Sequence, residues 1–259
     1  SIVASKMNVK IAHVEAGLRS FNSTMPEEIN RMITDKLSDF LFVSEESGLK
    51  NLRKEGISDS KIFFTGNIMI DCLVNHLDKI EFSKVIAENK LDRQNYVLAT
   101  FHRPSNVDIS SNMQSLVELL NYVSERRKLI FPVHPRTMKI IEENNLVNSM
   151  NSNIITTDPI GYIDFLSLMK NAELVITDSG GLQEETTYLG VQCITVREDT
   201  ERPVTVDLGT NQLAGTDITS IKSTVDDVLD GNVKKGCIPK FWDGKTAKRI
   251  VNILLEKVN

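Results

Sequence analysis

Short apolar runs alternate with amphipathic stretches from one end of the sequence to the other, and this alternation constrains the fold more than any single motif. Runs such as YVLATFH, KLIFPVH and LVITD are near-continuously apolar between polar ends, without the in-and-out pattern of a half-solvated sheet. Strands of that kind are buried on both faces, which in practice means a parallel sheet covered by helices. The pattern predicts strands at 9–16, 39–44, 61–66, 96–102, 128–134, 153–158, 174–178 and 192–196. Helices are predicted between them, at 26–39, 45–56, 67–80, 109–126, 137–144, 161–172, 182–189, 218–230 and 244–258. Pro26 with two acids in the first turn marks one helix start, and Gly56 marks one helix end. The polar stretch 78–95 separates two βα series and is the expected boundary between lobes. The reading is therefore two doubly wound, Rossmann-like α/β lobes: residues 1–88 form the later part of a first lobe, 89–242 form a second, and the 243–259 helix packs back on the first. SIVASKMN reads as the tail of a helix already under way, so the chain is expected to start inside a domain, with its first lobe incomplete.

Composition narrows the function classes. A chain of 259 residues that is 41% hydrophobic and 25% charged can bury a real core, which excludes disordered and fibrous classes. A net charge of −5 argues against broad electrostatic capture of nucleic acid or an anionic membrane, so an anionic ligand must be held by a local cluster. No apolar run approaches the ~18 residues of a membrane span. Cys72, Cys193 and Cys237 are odd in number and far apart, the pattern of a reduced, cytoplasmic chain. The four histidines and the acids show no metal-ligand spacing, and no metal or cofactor is expected.

The ends of the predicted strands carry the chemistry. In open parallel sheets, ligands bind beyond the carboxyl ends of the strands. Here strand after strand runs out into a polar cluster: HVEAGLRS (13–20), FHRPSN (101–106), VHPR (133–136), TDSGG (177–181) and VREDTERP (196–203). Five such clusters on one edge point to a cleft. Ser179, Gly180 and Gly181 open a helix, where glycines admit close approach and free N–H groups favour phosphate; equally, the glycines can merely turn the chain with Ser179 as cap. Glu184 and Glu185 stand where a carboxylate can accept two sugar hydroxyls, or where a helix simply faces solvent. His102 with Arg103, and His134 with Arg136, suit a diphosphate or a proton transfer, although a lone histidine at a strand end is more often structural. His13 and Glu15 alternate on one strand and so share a face. Glu27 and Glu28 sit at a helix start, a common place for acids on dipole grounds alone. Arg19 and Arg31 are nearby cations that can pair with these acids, and Arg202 lies on a proline-containing loop where surface pairing is the ordinary expectation. His76 has no evident partner.

Taken together and in order, the blocks HVEAGLRS, MPEEINR (25–31), the GN of FTGN (66–67), FHRPSNVD (101–108), PVHPR (132–136), DPIGYIDFLSLM (158–169), TDSGGLQEE (177–185) and TERP (200–203) resemble the non-hydrolysing UDP-N-acetylglucosamine 2-epimerases over essentially the whole chain. The resemblance implies a two-lobed, GT-B-like fold with UDP between the lobes, and interconversion of UDP-GlcNAc and UDP-ManNAc without added cofactor. It implies that a base removes the C2 proton of the sugar while UDP leaves from C1, giving 2-acetamidoglucal, to which UDP returns after the proton is replaced on the other face. It casts Glu15, Glu27 and His102 as catalytic, the last beside the diphosphate. It assigns UDP to Phe165, Ser179, Gly180, Gly181, Glu185 and Arg202. Arg103, His134 and Arg136 fall where some bacterial members hold a second, regulatory UDP-GlcNAc, and a homodimer is the usual assembly.

Against the family pattern, this chain lacks the GTRPE block and the later QGD(T) segment, reads HRPSN for the usual HRxEN, and carries Val204 where TERPE has an acid. The first of these departures predicts impaired turnover by the chain as it stands. An epimerase acting on a related UDP-2-acetamido sugar, a hydrolysing 2-epimerase, a glycosyltransferase of the same fold and a UDP-binding module without turnover are the alternatives.

Overall fold

The computed structural model describes residues 1–258. It is α/β with parallel sheets throughout, and it divides into two compact units. The first comprises residues 1–75, 200–209 and 238–259; the second comprises 76–199 and 210–237. The first division falls before His76 rather than at 88/89. This follows from packing, because the short helices Leu77–Ile80 and Val85–Glu88 lie against the Tyr162–Asn171 helix of the second unit.

The first unit is built on a three-stranded parallel sheet of β1 (Ala12–Val14), β2 (Phe40–Val43) and β3 (Ile62–Phe64), in the order β1-β2-β3. Alternation along β2 sorts its side chains to two faces. Phe40 and Phe42 join Phe63 on one face and receive Ile250, Ile253 and Leu254 of the C-terminal helix Thr246–Val258. Leu41 and Val43 pack on the other face with Ala16 and with Leu49 and Leu52 of the Glu46–Lys54 helix. The C-terminal helix is tied down at its start as well as along its side. The buried Asp71 carboxylate accepts the N–H groups of Thr246 and Ala247 at 3.0 and 2.7 Å, supplying the negative charge that a helix N-terminus favours.

The second unit holds a six-stranded parallel sheet: β4 (Tyr96–Thr100), β5 (Lys128–Pro132), β6 (Ile154–Thr157), β7 (Leu174–Thr177), β8 (Gln192–Thr195) and β9 (Asn211–Leu213). Their spatial order is β6-β5-β4-β7-β8-β9. The chain winds outward from β4 in one direction and then from β7 in the other, so the doubly wound switch point lies between β4 and β7. Helices Ser110–Ser124 and Ile218–Leu229 cover one face, with Met113, Leu120, Val123, Val225 and Val228 buried against Val97, Leu129 and Ile176.

All eight predicted strands are present, shorter at their ends than read from the sequence. The ninth, β9, was not legible: Asn211 and Gln212 have no strand signature, and Asn211 is held by amide and hydroxyl bonds to Gln183 and Thr195 instead of by an apolar face. The helix expected over 67–80 is two, Ile68–Val74 and Leu77–Ile80, broken at Asn75–His76 where the units divide. Among the described residues, no helix is long and apolar enough to cross a membrane.

Candidate active site

In the first unit, β1 stops at Val14 because Glu15 adopts a left-handed backbone (φ 67°), followed by Gly17 at φ 81°. The expected strand to residue 16 therefore breaks, and Glu15 does not share a strand face with His13. A non-glycine residue held in that region costs of order 1–3 kcal/mol and persists only where its surroundings fix it. The surroundings here are specific. Ala16 N donates to Phe42 O, and Asn51 donates to Gly17 O at 2.9 Å. Gly17 packs so tightly on Gly48 that a Cβ would stand 2.5 Å from the Gly48 carbonyl oxygen.

Below this turn lies a buried charge network. Asp35 receives His13 Nδ1 at 2.6 Å, Gly17 N at 3.1 Å and Arg19 Nη1 at 2.7 Å. Arg19 forks its Nε and Nη2 onto Glu55 at 2.8 and 2.7 Å. Burial opposes the Arg19 charge, but the bonds to Glu55 and Asp35 outweigh it and raise its pKa further. Arg19 and Asp35 thus set the turn and leave Glu15, 28% exposed, at its crest. Arg202 Nη2 lies 4.0 Å from Glu15 Oε2, and its Nη1 donates to buried Glu201.

The two acids that open the Pro26–Leu37 helix divide. Glu28 is buried and accepts Ser20 N, Phe21 N and Arg31 Nη1 at 3.0, 3.0 and 3.2 Å; Glu27 is exposed. Arg31 pairs with Glu28, whereas Arg19 turns instead to Asp35 and Glu55.

Next along this sheet edge, Glu45 follows β2 and is buried, with Ser47 donating to its Oε1 and its Oε2 without a hydrogen-bond partner among the described residues. Burial pushes its pKa up to about 7, against the pull of Ser47, Arg202 and the Val204 N–H. Glu45 lines a cavity of about 230 Å³ with Lys50, Phe64, Asp207 and Lys240.

The second unit places two loops at its switch point. Asp178 ends β7 and is fully buried. Its carboxylate accepts the backbone N–H groups of His102 and Arg103 at 3.1 and 2.9 Å and Asn106 Nδ2 at 3.1 Å, and it stands 3.1 Å from His102 Nδ1 as an ion pair. Burial alone would raise the Asp178 pKa, but these donors overcome it and hold it below the ordinary value. The Asp178 bond raises the pKa of His102, more than burial and Arg103 lower it.

Ser179 precedes the Gly180–Leu189 helix but makes no side-chain cap bond, so its hydroxyl is not committed to the helix. Neither Gly180 nor Gly181 has a positive φ, and a Cβ on Gly181 would meet nothing within 4 Å. Backbone conformation and packing do not require glycine at Gly181; what it leaves is open room beside free helix N–H groups, a place suited to phosphate.

Glu184 and Glu185 face inward, at 0 and 4% exposure, and do not form a solvated helix face. Burial raises the Glu185 pKa, partly offset by Tyr162, whose hydroxyl donates to it at 2.9 Å. The His76 ring meets Tyr162 edge-on, the partner that sequence reasoning missed. Phe165 lies half-buried on the same Tyr162–Asn171 helix.

His134 caps the Pro135–Glu143 helix by accepting Arg136 N, while the Arg136 side chain pairs with Asp108 at 2.6 Å. Among the described residues, no group of three or more His, Cys, Asp or Glu is placed to hold a metal ion.

The sequence matches the family model described as UDP-N-acetylglucosamine 2-epimerase over residues 1–255. It is 44% identical over 261 residues to UDP-N-acetylglucosamine 2-epimerase of Methanococcus maripaludis, covering 98% of this chain and 71% of the relative. A crystal structure of the Methanocaldococcus jannaschii UDP-GlcNAc 2-epimerase, in complex with UDP-GlcNAc and UDP, superposes with a TM-score of 0.89 at 43% identity, covering 98% of this chain and 71% of that one. UDP-2,3-diacetamido-2,3-dideoxy-D-glucuronate 2-epimerase of Pseudomonas aeruginosa is 38% identical over 218 residues, covering 83% of this chain and 59% of the relative. With the family model spanning nearly every residue and the fold shared with its solved members, this chain belongs to the UDP-N-acetylglucosamine 2-epimerase family.

Proposed function

We propose that this protein is a UDP-N-acetylglucosamine 2-epimerase acting by elimination and re-addition of UDP. The observation that carries the reading is Glu15. It is a carboxylate held at the end of β1 in a strained left-handed conformation, half-exposed, with the Arg202 guanidinium 4.0 Å away. A fixed, accessible carboxylate beside a cation is what removal of a C2 proton asks for.

In this reading Glu15 and Glu27 handle the proton at C2. As the C2–H pair becomes the C1=C2 bond of 2-acetamidoglucal, the C1–O bond breaks and its electrons go to the leaving diphosphate. Ser179 and the N–H groups at Gly180 and Gly181 hold that diphosphate with His102, which supplies positive charge as negative charge develops. Glu185 takes the ribose hydroxyls, Phe165 lies beside the uracil and Arg202 contacts UDP. Return of the proton to the opposite face of C2 and re-addition of UDP give UDP-ManNAc. The same family likeness carries a second, regulatory UDP-GlcNAc at Arg103, His134 and Arg136, a homodimer, and action in the cytoplasm, where thiols such as Cys72 and Cys237, neither in a disulfide, stay reduced.

The test is proton NMR of UDP-GlcNAc in D2O with this chain and, in parallel, with a version extended N-terminally to the length of its relatives. Deuterium at C2 with UDP-ManNAc appearing is the expected result. Free ManNAc would move the protein to the hydrolysing branch, and no exchange by either version would overturn the C2-proton chemistry for this sugar. The Pseudomonas relative, named for a UDP-2,3-diacetamido uronate, supports a second reading in which the sugar is a related UDP-2-acetamido sugar. The same experiment with that substrate decides between them.

A further inference from the structure

We propose that Asp178 is a positioning residue for His102, receiving the imidazole Nδ1 proton and presenting Nε2 to the leaving diphosphate. The inference rests on the epimerase reading for its target and on geometry for its substance. Asp178 is fully buried at the end of β7, and His102 stands at the end of the neighbouring β4, 76 residues earlier. The carboxylate binds the His102 loop through backbone as well as side chain: the N–H groups of His102 and Arg103, the Asn106 amide, and the imidazole Nδ1 at 3.1 Å. The Arg103 guanidinium closes the arrangement from the other side, its Nε donating to the Asp178 carbonyl at 2.9 Å.

Three fixed donors leave the carboxylate little freedom to rotate, so the imidazole that meets it is held in one orientation. With Nδ1 engaged, Nε2 lies on the opposite side of a ring that is 53% exposed. A carboxylate so supplied with N–H donors stays ionised, and an ionised carboxylate stabilises the imidazolium. The charged groups that act on His102 are Asp178, from β7, and Arg103, from its own loop. Asp178 wins, because its carboxylate stands 3.1 Å from the imidazole Nδ1.

The consequence for catalysis is that His102 keeps its proton to higher pH than an isolated histidine does. It therefore faces the departing diphosphate as a cation to higher pH than a free histidine does, and it stands in the same place when UDP adds back. A purely structural Asp178, pinning the loop after β4, would require the backbone and Asn106 bonds but not the imidazole bond.

Two measurements separate these roles. In the unaltered protein, ¹⁵N NMR of the histidine side chains is expected to show His102 titrating above the ordinary histidine range, and its neutral form carrying the proton on Nδ1, the opposite of the tautomer favoured by free imidazole. Titration at or below that range, or a neutral Nε2–H form, would overturn the inference. Asp178→Asn, which preserves shape but removes the charge and turns one acceptor oxygen into an amide donor, is expected to move the alkaline limb of the kcat profile to lower pH and to lower kcat roughly ten- to a hundredfold, part of the 10²–10⁴ that a positioned acid supplies. KM for the UDP-sugar should change far less. A uniform loss of activity with an unmoved limb would overturn it in favour of a loop-pinning role. Should the variant fail to fold, the NMR result decides alone. That result needs no turnover, so a chain that does not epimerise UDP-GlcNAc would sink the functional reading and leave the Asp178–His102 coupling to be judged separately.

Discussion

Replacing Glu45 by glutamine should change the pH dependence of stability more than stability itself. The carboxyl is buried just after β2, with one oxygen lacking a hydrogen-bond partner among the described residues, and its pKa rises from an ordinary 4.5 to about 7. A group whose pKa is raised on folding adds stability that is fully present below its unfolded pKa and is lost as pH rises through its folded pKa. For Glu45 the window runs from about 4.5 to about 7. At about 1.4 kcal/mol per pH unit, the whole effect is capped near 3.4 kcal/mol, of which about 2.5 kcal/mol is traversed between pH 5 and pH 8. Glu45→Gln cannot ionise and removes this component while leaving every other titration in place.

The assay is urea unfolding at the two pH values for both proteins, followed by the emission of Trp242. That residue is the sole tryptophan of the chain, it is buried, and its indole N–H donates to the carbonyl of Ser44, one residue before Glu45. The unaltered protein should lose about 2.5 kcal/mol more than the variant on going from pH 5 to pH 8. Parallel pH dependences, within about 0.5 kcal/mol, would show that Glu45 is solvated or paired and would refute the desolvation argument.

Other substitutions follow from the same geometry. Glu15→Gln should abolish deuterium exchange at C2 while UDP binding, measured by calorimetry, survives; loss of binding would recast Glu15 as structural. Glu27→Gln should likewise stop exchange without altering the urea midpoint, since Glu27 is exposed. Glu28→Gln should instead cost about 2 kcal/mol of stability, because Ser20 N, Phe21 N and Arg31 lose a buried anion. Gly17→Ala should destabilise by at least about 2 kcal/mol in the same assay, as its Cβ would combine a left-handed backbone with a 2.5 Å approach to Gly48 O. Tyr162→Phe removes the hydroxyl that holds Glu185, and should raise KM for the UDP-sugar about fivefold, the worth of one hydrogen bond near 1 kcal/mol, with kcat nearly unchanged.

What the sequence reveals and what it conceals divide on physical grounds. Strands β2, β4 and β7 are legible because a parallel strand buried on both faces reads as a near-continuous apolar run. Asn211–Leu213 is not, because its edge strand is secured by side-chain amides that also occur in loops. Glu15 is legible as a residue at a strand end, but its left-handed turn is imposed by Gly17 on Gly48 and by Asp35 on Gly17 N, contacts 18 or more residues away in sequence. Asp178 is likewise visible as the end of an apolar run, whereas its bond to His102 exists only because β4 and β7 are neighbours in the sheet.

The acids of this chain show why residue type and position alone leave the roles open. Glu27 and Glu28 are adjacent and open the same helix, so any argument from the helix dipole treats them alike. Folding separates them by where their oxygens are used. Glu28, Asp35 and Asp178 have their lone pairs taken by two or more N–H groups each, which makes them organisers of the chain around them. Glu27 is exposed and Glu15 half-exposed, and among the described residues Glu15 has the guanidinium of Arg202, at 4.0 Å, as its ion-pair partner. A carboxylate saturated by backbone donors cannot also accept a proton from carbon without giving up the bonds that hold the loop. The saturated acids therefore brace the turns and loops of their own units, and under the proposed function the chemistry falls to the acids at the crest of the Glu15 turn and on the open end of the Pro26–Leu37 helix.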